Sequence, residues 1–369
     1  MRFYSESFLE EGKKHLIKKL NFLNKKTKIT TRYSCIPDYT GIDFELYTDG
    51  NYMQPVEKRM EIYKEKIMPL ATKAIDQLLI KTKIETGAIT HLITVSCTGL
   101  FAPGLEFLVA EKYGLQNAEK SALNFLGCYA AMKALKQAHY VAQANPHACI
   151  LIVSAELCSL HFYPTEIAED MIANLLFADG AAAAIVCGDK SSSIQNKVVL
   201  QIDQMGTAFL PQTASLMTWN LSSTAFRMHL SPEVVNAIKR SIHAIVNDFL
   251  GTKMQKIDYW AIHPGGVRIV EAVQESLNLT ENNVSDSMKV MQNYGNMSSP
   301  TILFILSSIF DKIREQPRPE QDHMEQDHME LNPPDKAPIK TKKIFACAFG
   351  PGLNIEMLRF STHLSPHAV

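Results

Sequence analysis

Short apolar runs, each too brief to be a helix, recur along this chain with long amphipathic stretches between them. That alternation is the pattern of a sheet with both faces covered by helices, because a strand apolar at consecutive positions must be buried on each side. The runs at 91–96, 149–154, 181–187, 198–202, 259–263, 344–349 and 353–358 predict strands. Amphipathic segments at 57–80, 104–113, 129–143, 231–250, 267–277 and 299–314 predict helices. In the helix at 231–250, Ser231 can cap, Pro232 suits the first helical position, and Val235, Ile238, Ile242, Ile245 and Phe249 line one face. The expected class is α/β.

With 369 residues, 46% of them apolar, the chain can bury a large core in one or two domains. Lys and Arg number 37 against 38 Asp and Glu, a net charge of −1, so the basic excess that phosphate neutralisation demands is missing. Nucleic acid is therefore not an expected partner. No apolar run approaches the roughly 20 residues of a membrane span, and the first residues lack the basic-then-apolar order of a signal peptide. The last residues carry no prenylation cysteine, and the whole reads as cytoplasmic.

Seven cysteines stand at 35, 97, 128, 149, 158, 187 and 347 with no C-x-x-C pair, which argues against a disulfide framework and a structural zinc site. Most are expected to be small buried apolar residues. Two segments differ in composition from the rest. Residues 316–340 are rich in Pro, Glu, Asp and His and repeat Glu-Gln-Asp-His-Met in tandem at 320–329, which reads as a solvated loop before the last two strands. His323 and His328 there could be imagined as metal ligands, but an unsupported cluster is the simpler reading, and no metal is expected. Residues 13–28 hold seven lysines on an otherwise helical pattern, either a solvated face or a patch for anionic ligands.

Three motifs place a reactive side chain at the end of a predicted element. In Leu126-Gly127-Cys128-Tyr129-Ala130, an apolar run gives way to a helical pattern, so Cys128 falls at a helix start. Unpaired N–H groups and the helix dipole there favour thiolate, which suits a nucleophile, although a packing cysteine fits the same place. In Trp260-Ala261-Ile262-His263-Pro264-Gly265-Gly266, a strand delivers His263 into a forced turn, and a lone histidine there can equally be structural. In Tyr294-Gly295-Asn296-Met297-Ser298-Ser299, Asn296 lies in a turn before a helix and alone reads as a turn or cap residue. Cys, His and Asn in that order also occur in papain-like hydrolases, and the interval from Cys128 to His263 would fit. The C-G-[SA]-C-[WY] signature of that class is absent.

Taken together the motifs resemble those of the type III polyketide synthases, the chalcone-synthase-like branch of the thiolase-like superfamily. The G-C-x-A turn at 127–130, the His263-Pro264-Gly265-Gly266 turn and the Gly295-Asn296-Met297-Ser298-Ser299 turn carry the likeness, together with the hairpin Phe349-Gly350-Pro351-Gly352-Leu353. The resemblance implies an αβαβα layered fold of two similar halves, at 1–200 and 201–369, and a homodimer. It implies catalysis by Cys128, His263 and Asn296 on acyl-CoA and malonyl-CoA, with no cofactor. Cys128 thiolate would pair with a His263 imidazolium and take the acyl group, and His263 and Asn296 would stabilise the enolate left by decarboxylation. Phe177 matches a gatekeeper phenylalanine of the family, and Met228 stands where a second one is usual. Cys158 and His161 replace cavity threonines of plant members, and Ala102 replaces a methionine that crosses their dimer interface. Glu156, Cys97, Gly350, Pro351 and Gly352 complete the expected substrate-binding set, while Lys19 and Lys26 fall near the family's CoA-phosphate residues. The segments around 156–162 and 217–231 look similar to bacterial enzymes that make alkylpyrones or alkylresorcinols from fatty acyl starters. Family members usually begin with an extra strand that this chain, opening in a Lys-rich helical segment, is expected to lack. Ketoacyl synthase III, a Cys-His-Asn acyl hydrolase and a non-catalytic paralogue are the other readings.

Overall fold

The computed structural model describes residues 14–48, 51–315 and 340–365. The expectations about an opening strand and about the tandem repeat at 320–329 fall outside these residues. Helices α1 (Lys14–Thr27) and α2 (Val56–Thr82) precede a first sheet of β1 (His91–Ser96), β2 (Glu119–Asn124), β3 (Cys149–Leu157) and β4 (Asp179–Cys187). Its order is β2-β1-β3-β4, parallel except for the antiparallel β3–β4 pair. Helices α3 (Leu105–Tyr113), α4 (Ala130–Ala144) and α5 (Ala168–Leu176) connect these strands.

The second sheet holds β5 (Val198–Phe209), β8 (Tyr259–Ile262), β9 (Lys343–Gly350) and β10 (Asn354–Leu364) in the order β5-β10-β9-β8. A separate hairpin joins β6 (Met217–Leu221) to β7 (Phe226–Leu230), and α6 (Glu233–Leu250), α7 (Val267–Ser276), α8 (Glu281–Tyr294) and α9 (Thr301–Glu315) complete the chain. Each large sheet contains the same unit: a parallel pair, β1–β3 or β8–β9, followed by an antiparallel neighbour, β4 or β10. In the second sheet β5 covers the outer edge of β10, whereas among the described residues no strand pairs with the outer edge of β4.

The cores explain the layering. Along β3 the alternate residues Cys149, Leu151, Val153 and Ala155 pack with α1 and α2, while Ile150 and Ile152 pack with α4 and α9. Helices α4 and α9 are thus sandwiched between the two sheets, with Ile344, Ala346 and Ala348 of β9 on their far side. Phe345, Cys347 and Phe349 of the same strand face α6, α7 and α8. The order is helix, sheet, helix, sheet, helix, and the period-two alternation of each central strand is what serves two cores at once.

Most predicted elements are present, with ends shifted by a few residues. Ser231 Oγ accepts from Glu233 N at 3.2 Å, as its capping position suggested, although the helix itself begins at Glu233. Four features were missed. The strand β2 is polar and largely exposed, and the hairpin β6–β7, α5 and α8 also have no counterpart among the predicted elements. The signal for α8 is visible in retrospect: Thr280 and Asn283 form a capping box, and Val284, Met288 and Met291 follow at helical spacing.

Candidate active site

Each residue of the expected triad sits just beyond a strand or helix end, held there by backbone pairing. Cys128 lies between Gly127, whose φ is +81°, and the first turn of α4, with Ala130 N bonded to Gly127 O at 3.0 Å. A Cβ on Gly127 would lie 2.5 Å from Pro351 Cδ, so the C-terminal hairpin closes directly over the cysteine turn. His263 follows β8, and its N–H donates to Cys347 O at 2.9 Å. Asn296 donates from its backbone N to Leu176 O, and its own carbonyl accepts from Ala178 N, both at 2.9 Å. This pairing makes a two-residue parallel bridge between Asn296 and Phe177, so the asparagine and the expected gatekeeper are laid side by side.

The side chains converge. Cys128, His263, Asn296 and Phe177 line one small apolar space of about 20 Å³, together with Met217, Met228 and Leu230. Cys128, Phe177 and Met228 also border a larger cavity of about 260 Å³, whose wall includes Cys97, Cys158, His161, Trp219, Phe226 and Pro351. Asn296 is 1% exposed, and its Oδ1 accepts from Ser298 N at 2.8 Å. That bond fixes the amide orientation and turns Nδ2, a donor, toward the site. Neither Asn296 Nδ2 nor the two ring nitrogens of fully buried His263 have a hydrogen-bond partner among the described residues. Buried polar atoms are normally satisfied, so three such atoms beside one thiol form a cluster of unused hydrogen-bonding capacity.

Burial pushes the Cys128 thiol up to about 11, and the side chains of Ser298 and Asn296 only partly offset it by favouring the thiolate. Burial alone pushes the His263 imidazole down to about 3. Burial thus works against the thiolate that the helix start favours and against the thiolate–imidazolium pair that the resemblance implies. Desolvation outweighs the helix terminus because no charged partner compensates for it.

Other expected residues divide into wall, support and remote. His161 belongs to the wall, yet both its nitrogens are engaged: Nδ1 accepts from Phe226 N at 3.1 Å, so Nε2 carries the proton and donates to Thr98 O at 2.7 Å. Its ring stacks on Phe226 at 4.4 Å and meets Trp219 edge-on at 5.4 Å. Glu156 does not line either cavity. It is fully buried behind the wall, where its carboxylate accepts from Cys97 N and Thr98 Oγ1, each at 2.8 Å, and from Ser299 Oγ at 2.5 Å. It thereby ties the turn after β1 to the turn that carries Asn296, a supporting role that the expected substrate contact did not capture.

Gly350 and Gly352 also lie off the cavity walls, which include Pro351 of the same hairpin. Gly350 is needed for close approach, since any Cβ there would run into the Tyr129 ring next to Cys128. Lys19 donates to Glu166 O at 3.0 Å and Lys26 lies 5.4 Å over the Phe22 ring, and neither lines a cavity. Sequence reasoning missed Ser298 as a neighbour of the thiol, although it stands inside the Asn296 motif. It also missed the aromatic wall of Trp219 and Phe226, for which one of only two tryptophans in the chain was the available signal.

Known proteins share this organisation. Residues 3–190 match the family model of the chalcone and stilbene synthase N-terminal domain, and residues 201–362 match that of the C-terminal domain. Polyketide synthase 37 of Dictyostelium discoideum is 29% identical over 78% of this chain, which spans only 10% of that much longer protein. The α-pyrone synthesis polyketide synthase-like Pks18 of Mycobacterium tuberculosis is 27% identical over 96% of this chain and 84% of its own length. Among solved structures, PKS-I of the brown alga Ectocarpus siliculosus superposes with a TM-score of 0.84 at 26% identity, covering 98% of this chain and 93% of the other. The layered architecture described above is accordingly the thiolase-like fold.

Proposed function

This chain belongs to the chalcone and stilbene synthase family, whose members are condensing acyltransferases that use CoA thioesters and no cofactor, and from that premise we propose that it extends a fatty acyl-CoA starter with malonyl-CoA. In this reading Cys128 takes the acyl group and releases CoA, its proton passing to His263 as the thiol attacks. Malonyl-CoA then enters with its thioester carbonyl against the donors of His263 and Asn296. As CO₂ leaves, these donors stabilise the enolate oxygen, and the enolate carbon attacks the acyl-cysteine to lengthen the chain by two carbons. Repetition and ring closure give alkylpyrone or alkylresorcinol products. Phe177 excludes water from the departing carboxylate, while Met228, Cys97, Cys158, His161 and the hairpin at Pro351 shape the space for the growing chain.

The observation that carries this reading is the set of three unpartnered buried polar atoms on His263 and Asn296 beside Cys128. Decarboxylation needs donors in place before charge develops, and such donors are costly to a fold that has no other use for them. The apolar character of Met217, Met228, Leu230, Ile269 and Phe349 next to the thiol supports an alkyl starter. The two homologous halves divide near residue 200. We place the enzyme in the cytoplasm as a homodimer; in support of the dimer, β2 is a sheet edge among the described residues, and Leu100 and Phe107 nearby are 46% and 49% exposed. The test is incubation with long-chain acyl-CoA and labelled malonyl-CoA, followed by mass spectrometry. Labelled pyrones or resorcinols are expected, and free fatty acid without incorporated label would sink the proposal.

A further inference from the structure

Two cysteines that the proposed chemistry leaves unused face each other at the end of β3 and β4 remote from the active site. Cys149 and Cys187 are direct partners in the antiparallel register. Gly188 N bonds to Ala148 O at 2.9 Å, while Cys149 N and O are both engaged by Thr90 on the other side. The cysteines therefore form a non-hydrogen-bonded cross-strand pair, the type with the closest Cα atoms, about 4.5 Å apart, and with side chains on the same face. That separation lies at the short end of the range a disulfide spans. Cys149 is 1% exposed, but Cys187, on a strand whose outer edge pairs with no other strand among the described residues, is half-buried.

From this geometry we propose that Cys149 and Cys187 are a reversible dithiol–disulfide site, oxidised by small disulfides of the glutathione type. The chemistry of the pair suits exchange. The Cys187 thiol, the Ser193 side chain and the Lys197 ammonium all favour a thiolate at Cys149, which lowers its thiol against the opposing effect of burial. The same contact and burial push the Cys187 thiol up, so the resting thiolate sits on Cys149 and Cys187 carries the proton. In the reaction Cys187 passes its proton to the Cys149 thiolate as its own sulfur attacks the small disulfide, forming a mixed disulfide and expelling one small thiolate, which then takes that proton from Cys149. Cys149 thiolate then displaces the second, giving the Cys149–Cys187 bond. One proton and two electrons leave the protein, and one small disulfide becomes a small thiol and a small thiolate.

The bond would enclose Glu156, Cys158, His161 and Phe177 in one covalent loop, since all lie between the two cysteines in sequence. One wall of the substrate cavity thus becomes tethered at its base, about 23 Å along β3 from Glu156. A loop of this length constrains the unfolded chain strongly, so oxidation stabilises the fold without touching the reacting atoms. The small Cα separation also favours a bond that reductant can reopen.

The experiment equilibrates the full-length protein in mixtures of reduced and oxidised glutathione. It then traps free thiols with N-ethylmaleimide under denaturing conditions and maps the digest by mass spectrometry. Reduced protein should take seven adducts, one per cysteine. Oxidised protein should lose two and show a linked peptide pair containing Cys149 and Cys187, reversed by excess reduced glutathione. The thermal midpoint should rise by about 5 °C on oxidation, and Cys187→Ser, at the less buried member, should abolish both the link and the rise while condensing activity stays at the reduced wild-type rate. Full alkylation of both cysteines in oxidised buffer would overturn the proposal, as would links confined to other cysteines such as Cys97, Cys128 or Cys158. Because the wild-type map alone decides the outcome, a variant that failed to fold would not shield the proposal.

Discussion

Asn296→Asp isolates the donor from the fold better than a truncation does. The carboxylate is nearly the same shape as the amide, and one of its oxygens can still accept from Ser298 N, now at 2.8 Å from Oδ1. The other replaces Nδ2, so a donor beside Cys128 becomes an acceptor in a position 1% exposed. Losing one oxyanion-type donor costs about 3 to 4 kcal/mol of transition-state stabilisation, or roughly a hundredfold to a thousandfold in rate. A negative charge facing the enolate deepens the loss. Burial should also raise the pKa of the new carboxyl, as it does for Asp179 in the same protein, which is pushed up to about 6. Once protonated, the acid can donate as the amide did. The variant's deficit should therefore shrink as pH falls below about 6, whereas Asn296→Ala should stay equally impaired at every pH. The assay is conversion of malonyl-CoA to acetyl-CoA, followed chromatographically between about pH 5 and 8, with thermal melting as the check on folding. An Asn296→Asp rate within about tenfold of wild type at pH 8 would refute the donor role.

Three further outcomes follow from the geometry. Cys128→Ala should abolish the covalent acyl-enzyme seen by intact-protein mass spectrometry while leaving malonyl-CoA decarboxylation measurable; unchanged acylation would move the nucleophile elsewhere. Acid should destabilise the fold through His161 and His263, each lowered by burial to about 3. Their folded values lie below the unfolded value of 6.5, so the unfolded state binds protons first and stability falls as pH drops through that window. Asp179 opposes this, because its raised value lets the folded state gain its proton first between about 6 and 3.8. Between pH 7 and 5 each histidine costs about 2 kcal/mol and Asp179 returns about 1 kcal/mol. Urea unfolding should thus show a net loss of about 3 kcal/mol, and equal midpoints at the two pH values would contradict it. Gly350→Ala should drive a methyl into the Tyr129 ring and displace the Cys128 turn, lowering stability by about 1 to 3 kcal/mol and condensing activity with it; unchanged melting and turnover would show that the approach is not tight.

The alternation of short apolar runs and amphipathic segments was enough to read the covered sheets, because period and length are properties of neighbouring residues. The same holds for Cys128, His263 and Asn296, each announced by a Gly or Pro turn at the end of an element. The polar edge strand Glu119–Asn124 was not legible, since its backbone pairing with β1, and not its side chains, makes it a strand. Nor could local pattern distinguish Glu156 behind the wall from Cys158 on it, two residues further along. Only the tertiary structure decided that Phe177 bridges Asn296, that Cys149 opposes Cys187, and that burial works against the charged forms of Cys128 and His263. A sequence records which residues prefer to be buried and where the chain can turn. Register between distant strands, and the desolvation that sets a proton affinity, depend on what packs against those residues from elsewhere in the chain.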